Sequence, residues 1–288
     1  MIKPKLIIGT AQFGLDSYGI NNKNGIQSKN QVKKILNLSL ANNISFLDTA
    51  PSYGDAEIKI GECFDNNPFK CITKVSGNLI ENIENSVYKS AKNLKTDLYG
   101  VLVHNIDDFI ANDFVFEKLF QLKQEGFIRN IGFSIYHLKD IETLEKIIHF
   151  IDILQIPFNI FDQRFRSMLP YFKSYKIKIH CRSVFLQGLF FKGENFFKGE
   201  FEPAKNKIIE LNRMCHDLNL KLSHVLLGYC ILNDYFDGVI IGLDNINNLE
   251  VNLETYKFLD DVKDIEKYLD EFLINNEKII LPINWSIK

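Results

Sequence analysis

The chain has 288 residues, 46% hydrophobic and 24% charged, which is ample material for a packed core. Its 34 Lys+Arg against 36 Asp+Glu leave a formal net charge of −2 with no long block of one sign, so a general nucleic-acid or membrane-surface role is disfavoured. No apolar run approaches the ~20 residues that span a bilayer, Met1-Ile2-Lys3-Pro4 opens no signal peptide, and the five cysteines (Cys63, Cys71, Cys181, Cys215, Cys230) are scattered without a CxxC; a reducing cytoplasm is expected, not a disulfide framework.

In chain order, short apolar, β-branched runs recur at 6–9, 45–48, 71–74, 98–104, 128–134, 151–156, 177–183 and 238–242. Most are too continuous for a half-exposed hairpin and read as strands buried on both faces. Helical patterns lie between them. Val32, Ile35, Leu36 and Leu40 share one face behind a capping box of Ser28 and Gln31, and Val115, Leu119 and Leu122 share another that stops at Gly126. Strand starts fall about 23 to 39 residues apart until the last interval of about 61, which holds a Phe/Lys/Gly-rich loop (190–203) and helical stretches at 205–218 and 223–232. A further helix is expected around Ile265, Leu269, Phe272 and Leu273, before a tail at 281–288. Eight alternating units indicate a parallel sheet with right-handed crossovers, and over this length a closed (β/α)8 TIM barrel with a C-terminal extension, as one domain across 1–288.

Some motifs are missing. No two glycines lie two apart, so GxGxxG cannot occur, and there is no GxxxxGK. The six histidines form no close metal spacing. A nucleotide cofactor, if used, is held by other means.

Barrel active sites form beyond the C-terminal ends of strands. Successive strand ends deliver Asp48, Lys74 and His104, with Tyr53 five residues past the Asp. Singly each has an ordinary explanation: a helix cap, a solvated cation, a packed aromatic. Together on one rim they suit acid–base chemistry. A cationic Lys74 would stabilise Tyr53 phenolate, Asp48 would keep that cation charged, and His104 would supply a second hydrogen bond to a carbonyl oxygen gaining charge. The set lacks an electron source, which a bound hydride donor would complete.

These residues resemble an aldo-keto reductase, over nearly the full chain. The matching motifs are Leu6-Ile7-Ile8-Gly9-Thr10-Ala11-Gln12-Phe13-Gly14, Phe46-Leu47-Asp48-Thr49-Ala50-Pro51-Ser52-Tyr53-Gly54, Ile72-Thr73-Lys74, Leu102-Val103-His104-Asn105-Ile106-Asp107, Gly126-Phe127-Ile128-Arg129-Asn130-Ile131-Gly132-Phe133-Ser134, Arg182-Ser183-Val184-Phe185-Leu186-Gln187-Gly188-Leu189 and Val239-Ile240-Ile241-Gly242. The resemblance implies a barrel binding extended NADPH or NADH without a Rossmann domain or a metal. It implies a small-molecule carbonyl substrate, with no nucleic acid and no membrane as partner. It makes Asp48, Tyr53, Lys74 and His104 the catalytic tetrad. Thr10 and Ala11 fall in the cofactor site; Ser134 and Gln155 match positions that bind the nicotinamide amide. Ser183, Leu186 and Gln187 match the pyrophosphate loop, and Gly242, Asp244, Asn245 and Asn248 the adenosine end.

Three departures stand out. Ile135 replaces a common Asn, and Arg182 replaces a Tyr that stacks on the nicotinamide, where a planar guanidinium could also stack. Asp244 stands where many members place a group for the 2′-phosphate; its carboxylate would repel that phosphate and points to relaxed or NADH-leaning use. Candidate substrate contacts are Phe13, Tyr18, Ser52, Asn105 and Ile106, with the tail near Trp285. The loop with Lys192 and Lys198 among phenylalanines reads either as loop packing or as an anion and base-stacking clamp for a nucleotide-sugar. The opening Gly9-Thr10-Ala11-Gln12-Phe13-Gly14 and the loop Arg182-Ser183-Val184-Phe185-Leu186-Gln187-Gly188 are similar to those of bacterial members associated with surface-sugar metabolism. A cofactor-bound sensor or regulatory subunit with little turnover is the second reading. A metal-dependent barrel isomerase or aldolase is disfavoured by the dispersed His, Asp and Glu.

Overall fold

Eight parallel strands pair in chain order and close on themselves: β1 (Leu6–Gly9), β2 (Phe46–Asp48), β3 (Lys70–Val75), β4 (Leu98–Val103), β5 (Ile128–Ser134), β6 (Ile153–Pro157), β7 (Lys178–Arg182) and β8 (Gly238–Gly242). Closure is made at β1, where Gly9 pairs with Asp48 on one side and Gly242 on the other. The expected (β/α)8 barrel is the observed fold. The computed structural model describes residues 5–20, 25–76 and 83–286; the N-terminal reading at 1–4 and the last two residues of the expected tail lie outside the described residues.

The period of two along each strand sorts side chains between two cores. Ile8, Leu47, Val101, Phe133 and Leu154 face outward into the large core beneath the helices. Ile72, Leu102 and Ile153 face inward as a separate small cluster, with Phe46 and Tyr99 packed on it. This apolar plug fills the lower barrel. The next inward position on the same strands, two residues on, is Asp48, Lys74, His104 and Gln155. Strand parity alone therefore gathers the polar groups above a dry floor.

The helix Lys29–Ala41 has both halves of its capping box, Ser28 accepting from Gln31 N and Gln31 accepting from Ser28 N, and buries Val32, Ile35 and Leu36. Burial of each such side chain stabilises by about 1.5–3 kcal/mol. The helix Phe114–Gln124 ends before Gly126, whose φ of +79° suits a residue without Cβ. The long seventh interval holds three 3-10 turns (Leu186–Phe191, Glu194–Phe196, Gly199–Ala204) and then the helices Lys205–Asp217 and Leu222–Leu232.

The single late helix expected from the sequence is instead two short helices, Leu259–Asp264 and Glu266–Leu269, and a 3-10 turn, Asp270–Phe272. Ile265 at ψ 2° interrupts the helical run. Arg166 grips both carboxylate oxygens of Asp270 at 2.6 Å, and Gln163 donates to the Asp270 carbonyl, so tertiary bonds fix this turn. The tail then runs through Glu277–Ile280 and Pro282–Asn284. Among the described residues no helix is long and apolar enough to cross a membrane.

Candidate active site

A cavity of about 790 Å³ opens at the C-terminal ends of the strands, and Asp48, Tyr53, Lys74 and His104 all line it. Lys74 Nζ donates to Asp48 Oδ2 at 2.8 Å and to the Thr49 carbonyl at 2.9 Å, and lies 3.5 Å from the Tyr53 hydroxyl. The second Asp48 oxygen accepts from Gln155 Nε2. Asp48 is thus held from two strands, and it holds Lys74 under the phenol. The His104 ring meets the Tyr53 ring edge-on at 6.0 Å between centroids.

The turn that presents Tyr53 is set by backbone contact. A Cβ on Gly14 would fall 2.0 Å from the Tyr53 carbonyl, and one on Gly54, at φ +60°, 2.4 Å from the Gly14 carbonyl. Glycine at both positions lets the loops after β1 and β2 touch directly.

The electrostatics correct one expectation. Burial, reinforced by the Asp48 charge, pushes the Tyr53 phenol well above its ordinary value, where Lys74 was expected to make it more acidic. The Lys74 charge, paired with Asp48, does not outweigh that burial, and the phenol rests protonated. Burial, with Lys74 adding, brings His104 down to about 4, so near neutral pH its imidazole is uncharged.

Of the expected cofactor contacts, Thr10, Ala11, Ser134, Gln155, Arg182, Ser183, Gln187, Gly242, Asp244, Asn245 and Asn248 line the cavity. Leu186 does not: it is fully buried in the core. Asn245 caps the helix Ile246–Glu254 by accepting from Asn248 N at 3.0 Å. Asp244 is hydrogen-bonded to Gln12, and burial raises its carboxyl above the usual value.

Of the expected substrate contacts only Tyr18 lines the cavity, its ring 6.5 Å from that of Tyr53. Phe13 is fully buried in the outer core, Ser52 points to solvent from the turn before Tyr53, and Asn105 caps the helix Ile106–Ala111 by accepting from Asp107 N. Ile106 and Trp285 are core residues; Pro282 and Ile283 are the tail residues that reach the cavity. Neither Lys192 nor Lys198 lines it. Lys192 donates to the Ile20 carbonyl at 2.6 Å, and Phe190 and Phe197 are buried, so the loop is chiefly a packing element from which Phe191 reaches the cavity.

Sequence reasoning missed Gln12, Tyr136, Phe185, Phe191, Asn247 and Val251. Tyr136 had a signal: it stands two residues beyond Ser134. The others depend on loop and helix placement that spacing does not give.

The aldo/keto reductase family model matches residues 5–273. The chain belongs to this family. It is 26% identical over 281 residues to the "uncharacterized oxidoreductase YqkF" of Bacillus subtilis, covering 86% of this chain and 89% of that protein. It is 20% identical over 264 residues to D-arabinose 1-dehydrogenase of Saccharomyces cerevisiae, covering 79% and 77%. Among solved structures, the aldo-keto reductase AKR11C1 from Bacillus halodurans (holo form) superposes with a TM-score of 0.72 at 19% identity over 95% of each chain, a likeness of fold. As an aldo/keto reductase the protein is an oxidoreductase of the NAD(P)H-dependent type, acting on small carbonyl compounds.

The cavity fits such a cofactor. Gln155 Oε1 is buried without a protein partner beside Ser134, an acceptor suited to a carboxamide N–H. Ser183 and Gln187, on the loop after β7, line the same cavity and offer side-chain hydrogen-bond donors suited to phosphate oxygens. The first turn of Ile246–Glu254, where Asn247 and Asn248 line the same cavity, adds the positive end of a helix dipole.

Proposed function

We propose that the protein reduces a carbonyl compound, with Tyr53 as the proton donor. The observation that carries this reading is the chain of contacts from Gln155 through Asp48 and Lys74 to the Tyr53 hydroxyl, at the wall of a cavity suited to a nicotinamide nucleotide. The nucleotide, when bound, supplies the hydride. Ser134 and Gln155 hold its carboxamide, the loop 183–188 and the helix after Asn245 hold its phosphates, and Asp244 faces its adenosine end.

The protein's own groups do the rest. Tyr53 delivers its proton to the carbonyl oxygen as that oxygen gains charge. Lys74, fixed by Asp48, stabilises the phenolate left behind, and the neutral His104 donates a hydrogen bond that orients the oxygen. General acid assistance of this kind contributes roughly 10²–10⁴ in rate. Asp244 disfavours a 2′-phosphate, so NADH is used at least as well as NADPH. The cavity walls at Tyr18, Phe191 and Ile283 form the substrate side, and a sugar or nucleotide-sugar carbonyl is the candidate substrate, supported only by motif similarity to sugar-associated members and by the dehydrogenase named above.

The test is turnover of NADH and NADPH with a panel of aldehydes and sugar-derived ketones. Tyr53→Phe should lower kcat by at least 10²-fold and leave nucleotide binding nearly intact. Nucleotide binding without turnover of any carbonyl would favour the sensor reading instead.

A further inference from the structure

Arg182 holds an unusual place in the cavity. Its Cζ lies 4.0 Å from the centroid of the Tyr136 ring, so one face of the guanidinium is covered. Its edges are turned to protein: one terminal nitrogen donates to the Ile135 carbonyl at 2.9 Å, the other lies 3.4 Å from Ser183 Oγ, and Nε is buried. What remains for the cavity is a flat, delocalised, permanent charge. Among the described residues no carboxylate forms an ion pair with it, whereas Lys74 is neutralised by Asp48.

Strand register says what this charge faces. Ser134 pairs with Gln155 across β5 and β6, and Gln155 pairs with His180 across β6 and β7. Arg182 is the next inward position after His180. A carboxamide held by Ser134 and Gln155 therefore carries its ring next to Arg182.

We propose that Arg182 makes the cavity discriminate between the two oxidation states of the nicotinamide, holding the uncharged dihydropyridine more tightly than the cationic pyridinium, so that the reduced nucleotide is the form that loads. This rests on the nicotinamide reading given above. The electron-rich dihydropyridine face is attracted to a cation, as other π faces are, whereas a pyridinium is repelled by it. Tyr136 backs the guanidinium and fixes its plane, and Asp244, the other carboxylate lining the cavity, belongs to the loop after β8.

The experiment is equilibrium titration of the purified protein with NADH, NAD⁺, NADPH and NADP⁺, without substrate, followed by fluorescence or calorimetry. Wild type should bind the reduced member of each pair at least tenfold more tightly than the oxidised one. Arg182→Gln should shrink that ratio at least fivefold, mainly by tightening the oxidised form, and Arg182→Lys should keep it within about threefold of wild type, because the charge remains. Continued binding of the reduced form by Arg182→Gln shows that the variant is folded. Equal affinities in wild type, or an unchanged ratio in Arg182→Gln, would overturn the proposal. Absence of saturable binding of all four nucleotides by wild type would instead remove the functional reading on which it rests.

Discussion

The Lys74 ammonium lies 2.8 Å from the Asp48 carboxylate, with side-chain exposures of only 2% and 7%. A pair so withdrawn from water depends on both members, since removing one strands the other in a poorly solvating interior. Lys74→Met and Asp48→Asn should each lower unfolding stability by about 3–5 kcal/mol, and the double variant should lose less than the sum. Urea denaturation of the three variants measures this, and single losses below about 1 kcal/mol would mean that water reaches the pair.

The contact between Gly14 and the turn carrying Tyr53 makes a second expectation. Gly54→Ala adds a Cβ to a left-handed residue and drives it into the Gly14 carbonyl. Tyr53 must then shift, and kcat should fall at least tenfold while the far-ultraviolet spectrum stays that of the wild type. An Ala variant with wild-type kcat would show that the loop tolerates another path.

Buried histidines set the pH response. His104 and His180 are both brought down to about 4, chiefly by burial. The unfolded chain binds protons on these rings below about pH 6.5, before the folded chain does. Their contribution to stability is therefore complete above about pH 6.5 and lost progressively as pH falls toward 4. For the fully buried His180 this is at most about 3 kcal/mol. His180→Asn should flatten the stability profile between pH 6.5 and 4, and kcat/KM should show no ionisation near 6.5 from His104. An unchanged slope in the variant would assign the acid loss to other groups.

Asp244 gives a prediction about cofactor choice. Its carboxylate lines the cavity on the loop that precedes the capped helix Ile246–Glu254. Asp244→Ala should raise kcat/KM for NADPH relative to NADH by about tenfold, the scale of one charge–charge repulsion near a protein surface. A wild-type protein that strongly prefers NADPH, with a ratio unmoved by the substitution, would sink this reading.

Much of the fold was legible because burial on both faces of a strand leaves a continuous apolar run. Every strand was located this way to within a few residues. The long seventh interval and the late helical region were less legible. Their conformation rests on contacts between distant residues, such as Arg166 with Asp270, that local periodicity does not encode. The polar groups at strand ends were found for a simple reason: a charged or hydrogen-bonding residue directly after an apolar strand stands at the rim of a barrel. The substrate side was not. Phe13, Ser52 and Asn105 stand near strand ends in sequence, but one turns into the core, one to solvent and one to a helix cap.

By itself the sequence determined the eight-unit alternation and the residue types at each strand end, since the period of two and the apolar runs are properties of neighbouring residues. Only the tertiary structure decided which of those side chains share a cavity, that burial outweighs the Asp48-paired Lys74 at the Tyr53 phenol, and that Arg182 lies over the Tyr136 ring. Those outcomes depend on register between strands and on loss of solvent, and neither quantity exists until the barrel closes.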